Sequence, residues 1–170
     1  MIIRQETPRD YDEVYNLVKI AFASNPNDDG TVPDYLNELR RKDAFIPELS
    51  LITEIYGTIV GQVVLYKTTI ATVQGTELTE LLLSPISVHP DHFRRGIASA
   101  MIGEALQIAV QLSYRAVFLC GDPKIYGKLG FAPTYKYSIF HKKDNAAEWS
   151  MMRELYTGAL GGITGTINTI

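Results

Sequence analysis

The chain has very little cysteine, and Cys120 stands alone. A single thiol excludes an internal disulfide framework and suits a reducing compartment. No stretch approaches the ~20 consecutive apolar residues of a membrane span. The opening Met1-Ile2-Ile3-Arg4-Gln5-Glu6 has no basic segment followed by an apolar core, so no secretory signal is visible and a cytoplasmic location is expected. There is no excess of positive charge: the formal net charge is -3. General nucleic-acid binding needs a basic footprint, so that class is set aside. No cluster has metal-ligand spacing, since His89, His92 and His141 lack a second cysteine or a paired spacing. What remains is 170 residues, 46% hydrophobic and 21% charged, the composition of an ordinary globular protein. A chain of this length fits one domain (1–170) able to bury about 70% of its unfolded surface.

The hydrophobic pattern predicts a mixed α/β fold. Met1 to Arg4 is a short apolar run that reads as a first strand. Thr7-Pro8 starts a helix, with Thr as cap and Pro where no amide is wasted. Val14, Leu17, Val18, Ala21 and Phe22 continue it at helical spacing. The polar loop Asn25 to Gly30 mimics half of a calcium loop, but its twelfth position is Leu36, not Glu, so it is read as a turn. A second helix is expected over Tyr35 to Arg41. Leu49–Tyr56, Gly61–Val73 and Leu78–Val88 read as strands, the last interrupted by Pro85. Gly96 to Leu112 is the clearest helix, and Ala116 to Cys120 a short apolar strand. Strand, helix, strand in this order implies a parallel pair. A brief helix stops at Gly130, and Phe131–Phe140 and Ser150–Tyr156 close the fold as strands. The tail after Glu154 carries no charge and is expected to be an extended strand or a partner surface.

The informative segment is Ile86-Ser87-Val88-His89-Pro90-Asp91-His92-Phe93-Arg94-Arg95-Gly96-Ile97-Ala98-Ser99. A strand ends, the chain turns, and a helix begins beside two arginines. The first amides of a helix lack internal acceptors, and the helix dipole adds partial positive charge there. Such a start accepts a phosphate or diphosphate. The phosphate-loop pattern G-x-x-x-x-G-K-[ST] and the dinucleotide pattern G-x-G-x-x-G are both absent. From the residues alone this is an anion site of unspecified ligand, or an ordinary capped core helix with surface arginines.

The segment resembles motif A, [QR]-x-x-G-x-[GA], of the GNAT acetyltransferases. Tyr126-Gly127-Lys128-Leu129-Gly130-Phe131 resembles that family's Y-x-x-x-G-F motif at the expected distance. Val88-His89-Pro90 and Gly121-Asp122-Pro123 are similar to the bacterial YhbS-like subgroup. The resemblance implies a strongly twisted sheet of six to seven strands flanked by helices and splayed at its central parallel pair. It implies acetyl-CoA as cosubstrate, with no metal. Ile86, Ser87 and Val88 then bond the pantetheine arm. Arg94, Arg95, Gly96, Ile97, Ala98 and Ser99 hold the diphosphate, and Tyr126 sits near the sulfur. Two positions depart from the pattern: Phe93 replaces the opening Gln or Arg, and Leu119 stands where Asn is common.

The implied reaction is acetyl transfer to a primary amine by direct attack in a ternary complex. Tyr126 is the candidate general acid, since a phenol with a pKa near 10 is a proton donor at neutral pH. Glu80 is the candidate general base, with Glu54 a weaker choice. Cys120 closes an apolar strand and is read as inert core rather than a nucleophile. Asp28 and Asp29 are read as a solvated turn. A small-molecule or peptide amine is the expected acceptor, and a homodimer is a possible assembly. The second reading, motivated by Phe93, is a non-catalytic acyl-CoA-sensing module.

Overall fold

A computed structural model describes residues 1–169. It is a mixed α/β structure whose contacts divide the chain into two compact units. One holds Met1–Tyr66 and Ser84–Ile108, the other Lys67–Leu83 and Ala109–Ile170.

The first unit begins with strand β1 (Ile2–Gln5), a 3-10 turn at Pro8–Asp10, and helix α1 (Tyr11–Phe22). Helix α2 (Val32–Leu39) follows, starting earlier than the pattern of leucines suggested because Pro33 occupies its first turn. Strand β2 (Phe45–Ile55) pairs antiparallel with β1 and with β3 (Thr58–Thr72). Tyr56 and Gly57, both with positive φ, turn the chain between them. Val14, Leu17 and Val18 of α1, Leu36 and Leu39 of α2, and Ile52, Ile59 and Val64 of the strands form one buried cluster. Burying a Leu, Val or Ile side chain is worth about 1.5–3 kcal/mol, so this cluster is the main reason the two helices stay on the sheet. The buried Glu6 carboxylate is paired: it accepts from Arg40 and from the Ser50 hydroxyl at 2.7 Å.

Strand β4 (Glu77–Val88) enters this unit at Ser84 and ends beside β3, where the His89 amide donates to the Val60 carbonyl at 2.8 Å. Pro85 lies inside the strand with a cis peptide bond before it. Helix α3 (Ile97–Gln111) then begins. A methyl group built on Gly61 of β3 would stand 3.0 Å from Ile97 Cγ2 and 3.0 Å from Met101 Cε, so Gly61 is what lets α3 lie close against that strand.

In the second unit β4 pairs parallel with β5 (Ala116–Cys120), as the strand–helix–strand order predicts. The parallel ladder is short, registering Leu81 with Val117 and Leu82 with Phe118. Strand β8 (Ser150–Glu154) runs antiparallel to β5 and also pairs with β6 (Ala132–Pro133). Two expectations change: one apolar segment divides, and among the described residues the sheet has nine strands rather than six or seven. The segment Phe131–Phe140 is not one strand. A 3-10 turn at Thr134–Tyr137 and a left-handed Ser138 (φ 60°) divide it into β6 and β7 (Ile139–His141). The uncharged tail supplies the other strand, β9 (Gly165–Ile167), which pairs with both β3 and β7.

Candidate functional site

The first unit carries a cavity of about 410 Å³ at the end of β4 and the start of α3. Its walls are Ile86, Ser87 and Val88 of the strand, His92, Phe93, Arg94 and Gly96 of the turn, and Ile97, Ala98 and Ser99 of the helix. Every residue assigned from sequence to the coenzyme is among them except Arg95, which is exposed on the same turn. His92 and Phe93 are additions. Sequence reading did not assign them because Phe93 departs from the Gln or Arg that opens the motif and His92 lies outside the motif.

The geometry of the turn follows from its residues. Pro90 opens a short 3-10 turn capped by His89, whose Nδ1 accepts from the Asp91 amide at 3.3 Å. Arg94 (φ 61°) and Gly96 (φ 76°) both take left-handed backbone. A side chain at Gly96 would meet nothing within 4 Å, so glycine serves there for its backbone conformation and not for space. The first helical bond of α3 runs from the Ala100 amide to the Gly96 carbonyl at 3.0 Å. The amides of Ile97, Ala98 and Ser99 therefore precede the ladder. With the helix dipole and the Arg94 guanidinium, and no carboxylate among the lining side chains, this wall favours an anion.

In the second unit the Y-x-x-x-G-F motif has a physical reading. Helix α4 (Pro123–Tyr126) is capped by Asp122, which accepts from the Lys124 amide at 2.8 Å. A 3-10 turn follows and stops at Gly130, whose φ of 83° only glycine adopts without strain. The chain closes when the Phe131 amide donates to the Tyr126 carbonyl at 3.2 Å. Phe131 is buried and meets the Tyr126 ring edge-on, centroids 6.2 Å apart. Tyr126 is thus held by the glycine stop and the phenylalanine anchor. Among the described residues its hydroxyl has no hydrogen-bond partner. Burial raises its pKa above the ordinary 10.0, so it carries its proton at neutral pH.

Glu80 is in a different situation from the one expected of a base. Its side chain is 1% exposed. One oxygen accepts from Arg115 Nε at 2.6 Å, and the other from the Arg115 amide at 2.9 Å and the Ala116 amide at 3.2 Å. A general base must offer a lone pair to the proton it removes. Glu80 instead joins β4 to the start of β5, and the structure makes it a structural carboxylate. Glu54 is likewise engaged, by Arg4 at 2.7 Å. Cys120 also differs from expectation: it is exposed, not core, with Sγ 3.0 Å from Thr169 Oγ1. Burial of part of the group pushes the thiol pKa up, against the Thr169 contact and Lys143, which leaves it a poor nucleophile. Asp29 caps the turn before α2, accepting from the Thr31 amide at 3.0 Å. Among the described residues no group of three His, Cys, Asp or Glu side chains is placed to hold a metal. Among the described residues no helix is long and apolar enough to cross a membrane.

Comparison with known proteins identifies the family. A family model described as an acetyltransferase (GNAT) domain matches residues 2–134. The GNAT family N-acetyltransferase YhbS from Escherichia coli, solved in complex with CoA, superposes with a TM-score of 0.81 at 25% identity, over 98% of this chain and 88% of that one. A GNAT family acetyltransferase from Brucella melitensis, solved in complex with acetyl-CoA, gives 0.70 at 28% identity, over 76% and 81%. Ard1 from Thermoplasma volcanium shares the fold, with a TM-score of 0.60 at 21% identity over 91% and 97%. No curated protein matches the sequence. On the family match, and on the fold and helix-start cavity that accompany it, the chain belongs to the GNAT acetyltransferase family.

Proposed function

We propose that the chain is an N-acetyltransferase that passes the acetyl group of acetyl-CoA to a primary amine by direct attack. The observation that carries this reading is the cavity itself. Free amides of a helix start, left-handed backbone at Arg94 and Gly96, and a strand end at residues 86–88 all line one anion-favouring space. The complexes of the E. coli and B. melitensis relatives with CoA and acetyl-CoA support it.

In this reading the amides of residues 94–99 hold the diphosphate, and the β4 backbone at 86–88 pairs with the pantetheine amides. The acceptor nitrogen attacks the thioester carbonyl carbon, and the carbonyl oxygen gains negative charge, which a β4 amide stabilises. The amine must be neutral to attack, and its excess proton passes to water. The C–S bond then breaks, and the departing thiolate takes a proton from the Tyr126 hydroxyl. That assignment rests on the family motif and on the protonated, unpartnered state of this phenol.

The test is a panel of primary amines (polyamines, amino acids, aminoglycosides, peptide N-termini) with acetyl-CoA. Release of free thiol and a mass gain of one acetyl group on an amine support transfer. CoA binding without thiol release on any amine would favour a sensing module. Absence of CoA binding by folded protein would remove both readings.

A further inference from the structure

Phe93 is a large apolar side chain left 49% exposed, and it lines the cavity. Its backbone is fixed: its amide donates to the Pro90 carbonyl at 3.1 Å, and it is extended at φ -61°, ψ 150° before the left-handed Arg94. It belongs to the turn that carries Arg94 and Arg95, not to the strand end at 86–88. Both arginines are exposed beside it. An exposed aromatic side chain lining an anion site, followed in sequence by two exposed arginines, complements one chemical combination: a flat uncharged π-system bearing phosphates. In CoA that part is the adenosine 3′-phosphate.

We propose that Phe93 is the platform on which the adenine of CoA stacks, with Arg94 and Arg95 directed to the adjoining phosphates. Phe93 then determines how strongly the enzyme prefers the complete coenzyme over its adenosine-free fragment. The inference rests on the coenzyme reading above and adds a residue that the family motif does not supply, since that motif has Gln or Arg here.

Calorimetry on the full chain separates the two. The probes are CoA, 3′-dephospho-CoA and 4′-phosphopantetheine, which lacks adenosine. Wild-type protein should bind CoA more tightly than 4′-phosphopantetheine. Phe93→Gln, which restores the motif residue, should weaken CoA and dephospho-CoA about tenfold and leave 4′-phosphopantetheine unchanged. Phe93→Trp should retain or improve CoA affinity. Equal weakening of CoA and the fragment, or no change in either, overturns the stacking role while leaving the coenzyme site intact. If wild-type protein binds none of the three, the coenzyme reading itself falls, and this inference with it. Because the side chain is exposed, a thermal melt of each variant should match wild type, so an affinity loss reports the contact and not misfolding.

Discussion

Gly121 lies tight against the ring of Tyr126: a methyl group built on Gly121 would stand 2.3 Å from Cε2 and 2.5 Å from Cδ2. No real side chain tolerates that separation, so the ring position depends on the missing Cβ. Gly121→Ala should therefore displace Tyr126, cutting turnover about tenfold at unchanged CoA affinity, and should cost about 1–3 kcal/mol of stability through overpacking. Steady-state thiol release beside a denaturant titration reads both quantities. Wild-type turnover in this variant would mean that the ring position does not matter to the reaction.

Tyr126→Phe keeps the ring and its edge contact with Phe131 but removes the hydroxyl. Loss of a general acid costs roughly a hundredfold or more, so turnover should fall by that order while calorimetric CoA affinity holds. Burial holds the phenol above its ordinary value, so the wild-type rate should keep an acid-dependent fall only above about pH 10. A variant as fast as wild type ends the acid assignment.

Gly96 separates conformation from charge. Gly96→Ala places a Cβ at φ 76° in open space, so the penalty is backbone strain alone, about 1–2 kcal/mol. Gly96→Glu adds bulk and a negative charge to a wall built for an anion, and CoA binding should vanish. A glutamate variant that melts like the alanine variant yet still binds CoA would contradict the anion site.

Glu80→Gln tests a structural carboxylate against a catalytic one. The amide nitrogen of Gln would face one of the donors that now reach Glu80, either the Arg115 side chain or the Arg115 and Ala116 amides. Stability should fall by about 1–3 kcal/mol, the cost of a mispaired buried group. Turnover per folded molecule should stay within about twofold of wild type at a temperature where the variant is folded. A large drop in turnover at intact stability would reinstate Glu80 as the base.

Asp10 predicts acid sensitivity. The Arg4 guanidinium bonds both of its oxygens at 2.8 Å and holds its pKa well below the ordinary 3.8. A depressed folded-state pKa contributes stability that is fully present above the unfolded value and lost as pH falls through the folded one. Stability should be flat from neutral pH to about pH 5 and decline below about pH 4. Asp10→Asn should be less stable at neutral pH and show a shallower decline, as followed by urea midpoints at each pH. Parallel pH curves for the two proteins would remove Asp10 as the source.

Much of the fold was legible because its cause is local. The spacing of Val14, Leu17 and Val18 marks α1, and the apolar run Ala116–Cys120 marks β5 to the residue. The anion wall was legible for the same reason. A strand, a turn with glycine and a helix start lie within fourteen consecutive residues, so main-chain geometry assembles most of it. What misled was also local. The apolar run Phe131–Phe140 looks like one strand, but Ser138 turns left-handed and divides it.

The sequence by itself determined most of the elements, the helix-start amides, the glycine turn at Gly96 and the glycine stop at Gly130, because these follow from backbone preferences of neighbouring residues. Tertiary structure alone decided what distant residues mean to one another. Glu80 became a structural carboxylate because Arg115 and Ala116, thirty-five residues and more along the chain, bring three donors to it. The tail became β9 because Gly165, lacking a Cβ that would fall 2.6 Å from the Ala71 carbonyl oxygen, can pair closely with β3. Long-range pairing of this kind depends on which surfaces pack together, and that is set by the whole buried core rather than by any one segment.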